Sequence, residues 1–153
     1  MAKLPPLPLT GKCQCGAVHY TLNAAPIGFY LCHCTECQKQ SASAFGESVM
    51  VHPKDLEVTG VLSVYERPTS SGGTMRCEFC PNCGTRLFHG RPERCNIKGG
   101  SFDDRSWLVP AGHIWTSSKQ PYSHIGADEL SYTHGPESKD ALAARWREMM
   151  GLA

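Results

Sequence analysis

Short segments in which apolar and polar residues alternate run along most of the chain, and they predict strands. In residues 17–22, Val18, Tyr20 and Leu22 alternate with polar neighbours, and a period of two places these three side chains on one face of an extended segment. Similar segments, each too short for a helix, are 47–51, 56–59, 61–65, 85–89, 95–98 and 113–116. The pattern predicts a mainly β fold.

Two segments depart from this alternation and predict helices. Apolar residues recur at helical spacing just before Gly151, namely Leu142, Trp146, Met149 and Met150. They predict an amphipathic C-terminal helix over about 139–150 whose apolar stripe covers the sheet. A shorter helix is predicted for about 35–41, where the polar composition provides little independent stability.

Length and composition indicate a single globular domain over 1–153. Hydrophobic residues make up 41% and charged residues 19% of the 153 residues, and the chain lacks an apolar run long enough to span a bilayer. Prolines at positions 5, 6 and 8 interrupt the first residues, so a secretory signal is not predicted. We therefore expect a cytoplasmic protein with no membrane partner.

The charge distribution argues against a nucleic-acid partner. The formal net charge is +1, and the fifteen Lys and Arg residues are scattered along the chain. Nucleic-acid binders usually carry clustered basic residues. We therefore expect no nucleic-acid partner.

Nine cysteines are many for a chain expected in a reducing compartment, where metal binding or catalysis is more common than disulfide formation. Cys13 and Cys15 are two residues apart, a spacing that points both thiols to one side of an extended chain. Cys80 and Cys83 lie three apart before Gly84, as in a zinc knuckle. Together the four thiolates predict a closed structural zinc site, and the alternative is a disulfide within or between the pairs.

A second cluster brings Cys32, Cys34 and Cys37 within six residues. Three protein ligands leave the fourth position of zinc for water or substrate, which is typical of a catalytic site. The alternative is a closing fourth ligand, for which the candidates are Cys77, Cys95, His33 and His113. His33 is expected to face away from its neighbouring thiols on an extended segment, while Cys77 and Cys95 have no assigned chemistry.

The order of these motifs resembles the glutathione-dependent formaldehyde-activating enzyme family, which the zinc domain of centromere protein V shares. The resemblance is carried by Gly-Lys-Cys-Gln-Cys-Gly at 11–16, Cys-His-Cys-Thr-Glu-Cys at 32–37 and Cys-Pro-Asn-Cys-Gly at 80–84, and it extends over about 10–122. Its one departure is Ala42, where the family has a glycine after the second cluster.

The resemblance implies several coiled, largely antiparallel sheets around a structural zinc, similar to methionine sulfoxide reductase B. It implies two zinc ions, the second on Cys32, Cys34 and Cys37 as the catalytic site. The implied reaction joins glutathione to formaldehyde and gives S-(hydroxymethyl)glutathione, which makes the chain a carbon-sulfur lyase-type enzyme. Candidates for contacting the carboxylates of glutathione are Lys12, Lys39, Arg76 and Lys98, although such residues are usually solvated.

Two other functions stay open at this point. A zinc-stabilised carrier would bind glutathione or another thiol without catalysis and would use the same cysteines. A chromosomal or cytoskeletal role, as implied by the likeness to centromere protein V, needs basic interaction segments that the sequence lacks. Nothing in the sequence predicts the oligomeric state.

Overall fold

Two sheets form most of the structure, a computed structural model that describes residues 2–152. The strands are β1 (Leu9–Lys12), β2 (His19–Leu22), β3 (Gly28–Cys32), β4 (Gly46–Val51), β5 (Leu56–Thr59), β6 (Ser63–Pro68), β7 (Thr74–Phe79), β8 (Arg86–Arg91), β9 (Arg94–Ile97), β10 (Gly112–Ile114) and β11 (Leu130–Ser131). The helices are α1 (Thr35–Ser41) and α2 (Asp140–Met149). The predicted mainly β fold with a C-terminal helix is confirmed.

The smaller sheet has three strands in the order β1-β2-β5, and the larger has eight in the order β11-β10-β3-β4-β9-β8-β7-β6. All pairs are antiparallel except those of β10, which lies parallel to both β3 and β11. Short 3-10 turns at Pro53–Asp55, Gly99–Ser101 and Thr116–Ser118 connect some of the strands. Neither helix in the described part of the chain is long and apolar enough to cross a membrane.

Strand β3 is an interior strand of the larger sheet, between β10 and β4, and is buried at all five positions. Its sequence, Gly-Phe-Tyr-Leu-Cys, is apolar without alternation, because strands that are covered on both faces do not need a polar side. Helix α2 packs against this strand, with Leu142 and Trp146 fully buried. Helix α2 thus covers the strand that ends in Cys32.

Aromatic side chains connect the smaller sheet to helix α2. Tyr20 makes edge-on contacts with Phe88 and Phe102, with ring centroids 5.3 Å and 5.5 Å apart. Phe102 in turn contacts Trp107, and Trp107 contacts Trp146 of α2. Such pairs add about 0.5–1.5 kcal/mol each beyond the burial of their area. The predicted inward face of Val18, Tyr20 and Leu22 is buried and begins this series.

Some strand boundaries differ from the predicted ones. The segment expected at 113–116 ends as strand β10 at Ile114, because Trp115 adopts a left-handed conformation with φ of 57° and a 3-10 turn follows. Strands β1, β3, β7 and β11 were not predicted. In strand β7 only Cys77 is buried, and the charged residues Arg76 and Glu78 lie on either side of it, so the strand lacks the apolar alternation on which the prediction relied.

Candidate metal centres

Two turns at the same end of the fold bring four thiols together. Cys13 and Cys15 follow β1, while Cys80 and Cys83 lie in the turn between β7 and β8. Their four Sγ atoms all lie within 4.8 Å of one another. The Cys13 and Cys15 sulfurs are 3.6 Å apart, and those of Cys15 and Cys80 are 3.8 Å apart. The structure thus joins two pairs that are 65 residues apart in sequence.

These separations suit a tetrahedral metal ion. A zinc–sulfur bond of about 2.3 Å places sulfurs at tetrahedral corners about 3.8 Å apart, whereas a disulfide requires about 2.05 Å. All nine cysteines are free thiols. The four-cysteine cluster could therefore hold a metal ion, and its donor set is compatible with zinc.

The turn between β7 and β8 is shaped by backbone contacts around its glycine. Gly84 has a φ of 78°, in the left-handed region that favours glycine, and its N–H donates to the Cys80 carbonyl at 2.8 Å. The Cys80 N–H donates to the carbonyl of Thr85 at 3.0 Å. The Thr85 hydroxyl lies 3.2 Å from the Cys83 sulfur and accepts from the Gln14 N–H. The knuckle and the Cys13–Cys15 turn are therefore in direct contact.

The second cluster lies where β3 passes into helix α1. Cys32 ends the strand, Cys34 is the N-cap of the helix, and Cys37 lies in its first turn. The Cys34 sulfur accepts a hydrogen bond from the Cys37 N–H at 3.3 Å, as capping side chains do at this position. The three sulfurs lie within 4.8 Å of one another, and no other His, Cys, Asp or Glu of residues 2–152 joins their group. This three-cysteine cluster could also hold a metal ion.

Hydrogen bonds among the thiols favour ionisation of part of each cluster. The pKa of Cys34 is lowered because the Cys32 and Cys37 thiols donate hydrogen bonds to its sulfur. The same hydrogen bond raises the pKa of Cys32, which keeps its proton. In the four-cysteine cluster, the hydrogen bond from Thr85 contributes most to a Cys83 pKa of about 5. Thiolates are the form that binds metal, so these contacts prepare both clusters for a cation.

The backbone of β4 passes close to the second cluster. A Cβ atom at Gly46 would lie 3.0 Å from the Cys37 Cβ and 3.2 Å from its Sγ. A larger residue at position 46 would therefore push Cys37 away from its present position. Cys32 pairs with Gly46 in the sheet register, so the glycine allows strand and helix to approach around the thiols.

Helix α1 ends in a strained position. Ala42 is the C-cap and has φ of 49° and ψ of 40°, and its N–H donates to the carbonyls of Gln38 and Lys39. An L-residue with a Cβ pays about 1–2 kcal/mol in this left-handed conformation, while glycine does not. The helix therefore ends in a conformation that costs energy for alanine at this position.

Replacing Ala42 by glycine is expected to raise the free energy of unfolding by about 1 kcal/mol, because the left-handed cap becomes unstrained. Urea denaturation followed by circular dichroism measures the change. Ala44→Gly, at a buried position with no left-handed φ, serves as the matched control and is expected to destabilise. A fall in stability of the Ala42→Gly variant would contradict this account of the cap.

His33 lies between two cysteines of the second cluster, yet its ring belongs to a different network. The side chain is fully buried, and its Nε2 lies 2.8 Å from Nδ1 of His113. His113 in turn is hydrogen-bonded through Nε2 to Glu129, whose side chain is partly exposed. The rings of both histidines face this chain of contacts rather than the thiols. Glu129 was not identified from the sequence, since it lies on a segment with no predicted structure.

The remaining candidates are two cysteines and four basic residues. Cys77 is buried and Cys95 is half-buried. Burial raises the pKa of Cys95 to about 12. Among the candidates for carboxylate contacts, Lys12, Lys39 and Arg76 are exposed and Lys98 is buried. Neither of the two cysteines belongs to a metal-binding group in the described chain.

A model of the glutathione-dependent formaldehyde-activating enzyme family matches residues 8–118. Among solved structures, the chain is similar to the crystal structure of a Rhodobacter sphaeroides protein. The two share 21% sequence identity and a TM-score of 0.52, over 80% of this chain and 98% of that one. At this identity the likeness supports the fold. No curated protein matches the chain.

Proposed function

The chain belongs to the glutathione-dependent formaldehyde-activating enzyme family, and on that premise we propose that it catalyses formation of S-(hydroxymethyl)glutathione from glutathione and formaldehyde. The proposal makes it a carbon-sulfur lyase-type enzyme with the three-cysteine cluster as its reaction site. The observation that carries it is the convergence of Cys32, Cys34 and Cys37 without a fourth protein ligand in the described chain.

The reaction forms one bond between the thiol sulfur and the carbonyl carbon. The π bond of formaldehyde breaks, its electron pair moves to the oxygen, and the proton released by the thiol ends on that oxygen. Atoms and charges balance without an oxidant or a reductant. The protein therefore has to bring the two reactants together, favour the thiolate and stabilise the charge that develops on oxygen.

We propose zinc at both clusters, with four ligands at Cys13, Cys15, Cys80 and Cys83 and three at Cys32, Cys34 and Cys37. Bound to the three-cysteine cluster, zinc would supply an open coordination position that suits a soft sulfur ligand and favours the ionised form of a thiol. Cys32 and Cys37 are 6% exposed and Cys34 is half-buried, so the accessible side of the site is the one at Cys34.

Exchange NMR tests the proposal with zinc-loaded protein, reduced glutathione and formaldehyde. The adduct also forms spontaneously, so the measured quantity is the exchange rate above the protein-free rate. A catalyst raises this rate in proportion to protein concentration. A carrier of the thiol binds glutathione in a calorimeter and leaves the rate unchanged, which is the outcome that would reject catalysis.

A further inference from the structure

His33, which separates two cysteines of the three-cysteine cluster, is held by hydrogen bonds at both of its backbone groups. Its N–H donates to the Ile114 carbonyl at 2.9 Å. Its carbonyl accepts from Nε2 of Gln38 at 2.7 Å and from the hydroxyl of Ser118 at 2.8 Å. Strand β10, helix α1 and a 3-10 turn therefore meet at this one residue.

The imidazole of His33 begins a series of hydrogen bonds that reaches the surface. Its Nε2 lies 2.8 Å from Nδ1 of His113, and Nε2 of His113 is hydrogen-bonded to the Glu129 carboxylate. The rings of His33 and His113 are buried, at 0% and 4% exposure, whereas the Glu129 side chain is 44% exposed. A carboxylate at the surface is thus connected, through two buried rings, to the residue between the thiols.

These contacts indicate which ring nitrogens carry the protons. An ionised carboxylate only accepts hydrogen bonds, so Nε2 of His113 donates to Glu129. Nδ1 of a neutral His113 then accepts, and its donor is Nε2 of His33. The opposite arrangement would place the His33 proton on Nδ1, which is buried and has no hydrogen-bond partner among residues 2–152. Because a buried N–H without an acceptor is costly, the contacts favour the Nε2–H form of both histidines.

A fixed His33 ring limits where the neighbouring thiols can point. Cys32 ends strand β3, and Cys34 has extended dihedral angles, with φ of −64° and ψ of 154°. Neighbouring side chains of an extended segment point to opposite sides, so the His33 ring lies on one side and the two thiols lie on the other. Because the ring is held in place, the segment cannot rotate freely, and both sulfurs stay directed toward Cys37.

We propose that Glu129 is a positioning residue for the three-cysteine cluster. It acts through His113 on the His33 ring, and that ring orients the two neighbouring thiols for the metal ion. Replacing a residue that orients metal ligands without touching the metal typically lowers metal affinity about 10–100-fold. The inference rests on the proposed function only for the presence of zinc at this cluster.

Competition between zinc-loaded protein and a chelator tests this role with the metal alone. Glu129→Leu removes the acceptor, and we expect the zinc affinity of the three-cysteine cluster to fall about tenfold, while that of the four-cysteine cluster stays unchanged. Glu129→Gln keeps an oxygen that accepts from Nε2 of His113, so it should retain the wild-type affinity. Glu137→Leu makes the same change at another exposed glutamate, outside this network, and should alter neither affinity.

Nitrogen-15 NMR of the imidazole rings gives a second readout that does not depend on activity. The wild-type protein and Glu129→Gln should show the Nε2–H form of both His33 and His113. Without the acceptor, Glu129→Leu should show a mixture of the Nε2–H and Nδ1–H forms at His113. The substituted side chain is partly exposed, so the variants should fold, and urea denaturation verifies this.

Unchanged zinc affinity in Glu129→Leu would overturn the inference, as would Nδ1–H forms in the wild-type protein or a wild-type chain that binds only one zinc ion. Equal losses in Glu129→Leu and Glu129→Gln would also overturn it, because they would assign the effect to the charge of the carboxylate. Zinc affinity that depends on Glu129 without faster exchange would reject the proposed catalysis and keep the positioning role. Faster exchange with zinc affinity independent of Glu129 would do the reverse.

Discussion

Replacing Cys80 by alanine is expected to lower the free energy of unfolding by about 3 kcal/mol or more and to remove the metal of the four-cysteine cluster. Zinc contributes about 10–16 kcal/mol of folding free energy in small four-ligand domains, and one lost ligand of four removes a large part of it. Whole domains are stable by only about 5–15 kcal/mol. A substantial fraction of the variant should therefore be unfolded at 37 °C.

Cys77→Ala is the matched control for this prediction. Both cysteines are almost completely buried, Cys80 at 0% and Cys77 at 2% exposure. Each substitution removes one sulfur atom, but Cys77 belongs to neither cluster. Cys77 is a small buried apolar side chain, so its replacement by alanine should lower the free energy of unfolding by about 1 kcal/mol. Urea denaturation and zinc per chain by mass spectrometry compare the two variants. Equal destabilisation, with full zinc content in both, would mean that the four thiols do not stabilise the fold through a metal.

The cysteine clusters could be predicted because their chemistry depends on local spacing. Cys13 with Cys15, and Cys80 with Cys83, each form half of a site by a rule that applies to a few residues. Because a tetrahedral zinc ion requires four ligands, the two pairs were expected to meet at one ion. The resemblance to a known family supplied the order of the motifs, and the sulfur separations agree with the resulting expectation.

The hydrogen-bonded network of His33, His113 and Glu129 could not be predicted in the same way. The three residues are far apart in sequence, and the parallel pairing of β10 with β3 and with β11 brings them together. Strand β11, which follows Glu129, has only two residues. Such a short strand gives no periodic signal in the sequence.

Strand β3 was missed for the opposite reason. All five of its residues are buried and helix α2 packs against it, so its sequence shows no polar alternation. A continuous apolar run of five residues does not distinguish a buried strand from a helix segment. The strand that presents Cys32 to the site is thus the one that a periodicity argument is least able to find.

Replacing Cys34 by serine is expected to reduce the exchange rate above the spontaneous one at least about 100-fold, and to change stability by less than about 1 kcal/mol. Cys34 caps α1 by accepting a hydrogen bond from the Cys37 N–H, and serine is among the preferred N-caps. The helix should therefore persist. A neutral hydroxyl is a much poorer ligand than a thiolate for zinc, so the second site alone should lose its metal.

Exchange NMR, zinc per chain and urea denaturation measured on the same sample separate the possible results. Cys95→Ser changes another half-buried cysteine that lies outside both clusters, and it should keep both ions and the full rate. A Cys34→Ser protein that retains two zinc ions and full activity would remove the three-cysteine cluster from the mechanism. Loss of one ion with an unchanged rate would place catalysis elsewhere in the chain. Because serine also serves as a helix cap, a lost rate in a stable protein with one ion would follow from loss of the Cys34 thiolate together with the metal that it helps to hold.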